Sequence, residues 1–114
     1  MTLEQFLQKL DTKPESIEFT ETMSVIENLY DFIEVAFTNG QQSNAAGENS
    51  GSCKLFSFAK LNGLSEAKTL ACFGTYYRDD VLGHPDANDH QNIRQFMING
   101  WSGIQFSAEA LIAK

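Results

Sequence analysis

Apolar residues fall at helical spacing through most of this chain, but between Tyr30 and Thr38 the period drops to two. In that segment Ile33, Val35 and Phe37 lie on one side and Phe32, Glu34 and Ala36 on the other, the pattern of a half-buried strand. Asn39-Gly40 then supplies a turn signal. This segment argues against an all-helical bundle and asks for a partner strand, which Ile104-Gln105-Phe106 resembles. The expected class is α+β: a compact, mostly helical domain of about five helices with a small β-sheet.

The helices are read from caps and stops. Thr2-Leu3-Glu4-Gln5 has capping-box form, and Leu3, Phe6, Leu7 and Leu10 follow it at helical spacing until Lys13-Pro14. Ser16 or Thr20 caps a second helix bearing Phe19, Met23, Ile26 and Leu29. After a polar loop from Gln41 to Gly51, a third helix headed by Ser52 ends near Asn62-Gly63. Leu64-Ser65 restarts a fourth, carrying Leu70, Phe73, Tyr76 and Tyr77 towards Gly83, and Gly74 inside it marks a kink or a close contact. Asp89 or Asn88 caps the last helix, which bears Ile93, Phe96 and Met97 and stops at Gly100, where Trp101 closes the core. A final helical turn is expected within Ser107 to Lys114.

The 114 residues suit one domain spanning 1–114, with no repeat or linker. A formal net charge of -7 disfavours a phosphate-backbone footprint and a polybasic membrane surface, so neither nucleic acid nor a membrane is an expected partner. No apolar run approaches the roughly 20 residues that span a bilayer, and the start lacks a basic then apolar leader. The two cysteines therefore read as free thiols in a reducing, cytoplasmic setting. Without Cys-x-x-Cys, paired His spacing or a nucleotide fingerprint, no metal and no organic cofactor is expected.

The richest polar stretch is Asn44 to Lys54. It brings a thiol, an ammonium and unpaired N–H groups to one helix start, where anions and thiolates are favoured. Cys53 is the candidate nucleophile, with His90 as base and Asp89 orienting the ring. The alternative is that Cys53 is a small core residue beside Phe56 and His90 an exposed first-turn residue. Asn44, Glu48, Asn49, Ser52 and Lys54 are candidate binding residues, or else caps and turns that satisfy local backbone. Arg78, and Arg94 on the helix face of His90, are further candidates for an anionic ligand, against a plain solvated face. Whether the chain is an enzyme stays open. One class is a binding module for an unidentified protein or small ligand, and the other a small Cys-His hydrolase or transferase.

Thr38-Asn39-Gly40, the run Asn44 to Phe56, Leu61-Asn62-Gly63-Leu64, Cys72-Phe73-Gly74-Thr75-Tyr76-Tyr77-Arg78, His84-Pro85, Asp89 to Arg94 and Gly100-Trp101-Ser102-Gly103-Ile104 resemble, in this order, the HopJ-type proteins. The resemblance covers essentially the whole chain. It implies a small α/β domain labelled a type III effector, hence bacterial, with delivery into a host cell by type III secretion. It carries no enzymatic activity and no cofactor. Asp31 to Phe37 departs from the family pattern by being more apolar and free of proline, which strengthens the strand reading.

Overall fold

The computed structural model describes all residues from Met1 to Lys114. Helix α1 (Leu3–Thr12) starts at Thr2, whose side chain accepts from the Gln5 amide while the Gln5 side chain accepts from the Thr2 amide. It buries Phe6 and Leu10. One 3-10 turn, Pro14–Ser16, leads to α2 (Phe19–Leu29). Glu18 is the N-cap of α2, in place of Ser16 or Thr20, and its N–H donates to the Glu21 carboxylate at 3.0 Å. Lys9 reaches the same carboxylate at 2.7 Å, which ties α1 to α2 and holds the Glu21 pKa below its ordinary value.

The period-two segment forms two short strands in separate sheets. β1 (Tyr30–Phe32) pairs antiparallel with β5 (Leu111–Ala113), with Phe32 opposite Leu111. β2 (Phe37–Asn39) is the centre of a second antiparallel sheet, between β3 (Gln42–Asn44) and β4 (Ile104–Phe106). The β1 ladder ends where the Ile33 amide donates to the Ala110 carbonyl, and pairing with β4 begins at Phe37 opposite Phe106. Residues 33–36 carry the change of sheet. Ile33 is consequently 47% exposed instead of sharing the buried face of Val35 and Phe37. The tail is thus a strand and not a helical turn, because β1 offers it a free edge.

Helix α3 (Ser50–Leu61) begins two residues before Ser52, with Asn49 as its N-cap in the left-handed region at φ 51°. It is the central helix, burying Cys53 and every residue from Leu55 to Ala59. Phe56 is fully buried, with ring centroids 5.4 Å from Phe73, 5.0 Å from Phe96, and 6.4 Å from both Phe37 and Trp101. Trp101 closes this cluster and donates its indole N–H to the Leu64 carbonyl.

The expected fourth helix is interrupted. α4 (Glu66–Ala71), capped by Ser65, ends before Gly74, and a π-helical turn (Tyr76–Val81) follows. Gly74 has φ 64°, and a Cβ there would lie 2.7 Å from the Phe19 backbone nitrogen. Both readings of this glycine, kink and close contact, hold. Finally α5 (Gln91–Asn99) starts at His90, again in the left-handed region, instead of Asp89 or Asn88.

Gly74→Ala combines a left-handed alanine with a backbone clash, so it should destabilise the fold by about 2–4 kcal/mol. Urea unfolding of the two proteins measures this. Equal midpoints would mean that the turn after α4 and the α2 N-terminus are not in contact as described.

Candidate functional site

Three buried asparagines set the geometry of a concavity between the starts of α3 and α5. Asn92, in the first turn of α5, accepts through its backbone oxygen from Asn39 Nδ2 at 2.6 Å. Its side-chain amide exchanges bonds with that of Asn44, at 3.0 and 3.2 Å. Asn49 Nδ2 adds a 2.7 Å bond to Asn44 Oδ1. The hairpin β2–β3, the start of α3 and the start of α5 are thereby fastened to one another. A buried amide must be paired, since an unpaired one costs about 1–3 kcal/mol.

The result is a cleft of about 470 Å³ into which both helix starts open. Asn49, Gly51 and Ser52 line it from α3, and His90, Gln91, Asn92 and Ile93 from α5. Neither start has a side-chain cap. The N–H groups of Gly51, Ser52, Gln91 and Asn92 have no acceptor within the chain, and the partial positive charge of two helix starts meets there. Gln42 of β3 contributes an amide, and Phe19, Phe73 and Tyr76 form an aromatic wall. The Tyr76 ring lies 5.2 Å from that of Phe19 and 5.4 Å from that of His90. His90 Nε2 is 3.1 Å from Asp80 Oδ2, so the π-helical turn holds both Tyr76 and His90 on this wall.

The sequence candidates separate into cleft residues and structural ones. Asn49, Ser52 and His90 line the cleft. Asn44 sits behind it, 3% exposed, as part of the asparagine network. Glu48 accepts from the Ala45 amide and closes the loop before α3. Lys54 stands 5.0 Å from the centre of the Phe32 ring, away from the cleft. Arg78 donates to the Ile17 carbonyl at 2.7 Å and pairs with Glu18 at 3.2 Å, anchoring the π-helical turn to the α2 entry. Arg94 is bound to the Asp89 carboxylate at 2.7 Å and to the Asp89 carbonyl at 2.6 Å. Both arginines are therefore engaged within the fold and neither lines the cleft.

The Cys53 expectation is corrected in its physical basis. Its side chain is 1% exposed and lies 4.0 Å from the Val35 carbonyl, on the core side of α3. Burial raises the thiol pKa, outweighing the hydrogen bond from Ser57, so no thiolate is favoured at this helix start. Cys53 does not line the cleft where His90 stands. The carboxylate nearest His90 is that of Asp80. Asp89 is 3.9 Å away, and its own pKa is lowered first by the hydrogen bond from Arg94. Cys72, fully buried, has its pKa pushed up to about 12, again by burial. No group of three or more His, Cys, Asp or Glu side chains is arranged to hold a metal ion.

Phe19, Gln42, Phe73 and Gln91 were not among the sequence candidates. The period pattern marks Phe19 and Phe73 only as core residues, and nothing local shows that they meet across the cleft. The fold and cleft define a small helix-rich α+β domain with one aromatic-walled, amide-lined concavity. The chain matches the family described as HopJ type III effector protein over residues 3–111, and it belongs to that family. It is similar to the crystal structure of the unknown-function protein VPA0580, at 60% identity and TM-score 0.98, covering 100% of this chain and 95% of that one. No curated protein matches it.

Because folding keeps both thiols neutral, their contribution to stability is full below the unfolded thiol pKa of about 8.5 and is lost as pH rises through the raised folded values. An aromatic disulfide reagent at pH 8 should therefore label the two cysteines only as fast as the protein opens, and label both promptly in denaturant. Prompt reaction of Cys53 in the native protein would contradict the buried placement.

Proposed function

We propose that this domain is a non-catalytic binding module and that the cleft between the starts of α3 and α5 is its recognition surface. The observation that supports this reading is the convergence of free N–H donors from two helices on a concavity of ligand-site size, beside a wall of aromatic rings. Such a surface suits a small molecule or peptide segment with a planar or apolar body and an acceptor atom. The body stacks on Tyr76 and Phe19, while the acceptor takes bonds from Gly51, Ser52, Gln91 or Asn92. The side-chain amides of Gln42 and Asn49 would fix its orientation.

The Cys-His alternative lacks comparable support, because the thiol is buried, its pKa is raised and it stands apart from the cleft. In keeping with the family description as a type III effector, the proposed setting is the bacterial cytoplasm and, after delivery by type III secretion, a host cell, where the binding partner would reside. No helix is long and apolar enough to cross a membrane.

Titration of benzoate, benzamide and acetylated aromatic dipeptides into isotope-labelled protein, followed by amide NMR shifts, tests the proposal. At least one probe should shift Gly51, Ser52, Gln91 and Asn92 together and saturate. Tyr76→Ala should weaken that probe about threefold to tenfold without unfolding the protein, the size of one aromatic contact. Shifts that avoid these residues, or that ignore the Tyr76 substitution, would refute the cleft as the recognition surface.

A further inference from the structure

The cleft between the two helix starts differs in charge from the rest of the chain. The sequence carries 15 Asp and Glu residues against 8 Lys and Arg, yet no carboxylate lines the cleft. Its lining brings together the positive ends of two helices, with their free N–H groups, side-chain amides and His90. Asn92 adds a donor from the buried side. It is 6% exposed, and its Nδ2 spends one of its two hydrogens, on Asn44 Oδ1 at 3.0 Å. A buried donor with a hydrogen to spare favours an arriving acceptor.

His90 is the one cleft side chain of the type that changes charge between about pH 5 and 8. From the π-helical turn it meets the Tyr76 ring at 5.4 Å and the Asp80 carboxylate at 3.1 Å. From its own entry to α5 it meets Asp89 at 3.9 Å, a carboxylate already held by Arg94. Neither α2, α3 nor β3 brings a titratable side chain to the cleft. With His90 neutral, the Asp80 charge beside the cleft is uncancelled and repels an anion; with His90 protonated it is cancelled. No lysine or arginine lines the cleft, so the charges that suit a phosphate are missing, whereas a singly charged, planar carboxylate can share its two oxygens among the free N–H groups.

Resting on the binding-module reading, we infer that the cleft selects a carboxylate carried on an aromatic body over a neutral acceptor, and that protonation of His90 tightens its hold. The carboxylate accepts from the N–H groups of the two helix starts, and the ring lies against Phe19 and Tyr76.

Benzoate and benzamide share a ring and differ by one charge, and acetyl-phenylalanine and its C-terminal amide repeat that difference for a chain terminus. Each is titrated into isotope-labelled protein at pH 5.5 and pH 7.5, and the amide shifts of Gly51, Ser52, Gln91 and Asn92 give its affinity. At pH 5.5 at least one acid should bind about tenfold tighter than its amide, the margin of a charge-assisted bond. That acid should bind about threefold to tenfold more weakly at pH 7.5, where the Asp80 charge is uncancelled, while its amide binds equally at both. His90→Asn, which keeps a residue type tolerant of the left-handed backbone, should abolish this pH dependence, and Asp80→Asn should tighten the acid at pH 7.5. A preference for the acid in the first pair alone supports a free small acid as the ligand, and a preference in the second pair supports a chain terminus. The inference is overturned if the amides bind as tightly as the acids, if the acid binds equally at both pH values, or if its pH dependence survives in His90→Asn. Equal, saturating binding of acid and amide would overturn it and leave the binding-module reading standing, whereas the absence of saturation with every probe would overturn both.

Discussion

Everything that gives this domain a recognisable site rests on paired amides in its interior. Asn39, Asn44 and Asn92 are 0%, 3% and 6% exposed and come from β2, β3 and α5, and Asn39 and Asn44 both bond to Asn92. Inside a protein such bonds are strong only if nearly every donor and acceptor is used, and a partly satisfied set is worse than an apolar one. The network meets that condition closely, leaving one oxygen, Asn39 Oδ1, without a partner. Its directional bonds fix what apolar packing alone would leave free, namely the angle and spacing of two helix starts. Asn49 extends the network to the α3 cap, where its left-handed backbone turns the chain into the helix.

Around that polar centre the aromatic cluster supplies most of the burial. Phe56 touches rings from β2, the turn after α4, α5 and the turn after α5, so α3 is packed from several directions at once. Close packing at Gly74 brings Phe73 and Tyr76 against Phe19. The aromatic wall of the cleft is therefore the edge of the core, exposed because the π-helical turn carries Tyr76 outward while Arg78 ties that turn to the α2 entry. A single set of contacts thus builds the core and shapes the site. Substitutions in the wall that remove rings deeper than Tyr76 will act on stability as well as binding.

Much of this was legible in the chain itself. Capping at Thr2, a helix restart at Leu64-Ser65, the stop at Gly100 and the strand character of Phe37 and Thr38 all follow from local chemistry, and the structure keeps them, while Asn39 proves to be the last strand residue before a turn at Gly40 and Gln41. What escaped was decided at a distance. Ile33 faces solvent because its ladder partner is Ala110, and Leu111 to Ala113 became a strand because β1 had an open edge. The polar run from Asn44 to Lys54 was rightly singled out, yet its side chains divide by direction. Asn44 turns inward, Cys53 enters the core and Ser52 faces the cleft, a division the linear order does not record. Asn49 and His90 as left-handed caps were missed, although both are residue types enriched in that backbone region, because each precedes its helix as an ordinary cap would. Asp80 as the partner of His90, in place of its neighbour Asp89, follows from the π-helical turn that only the fold reveals.

The claim that the asparagine network holds the two helix starts together is best tested by a double-mutant cycle on Asn44→Ala and Asn92→Ala, with urea unfolding and amide exchange recorded for all four proteins. Each single variant should lose about 2–3 kcal/mol through unpaired buried groups. The pair should be coupled by at least about 1 kcal/mol, and either substitution alone should speed exchange in the first turns of both α3 and α5. Losses that add within about 0.5 kcal/mol, with Asn92→Ala disturbing α5 alone, would show that the two helix starts are positioned independently and that the network does not build the cleft.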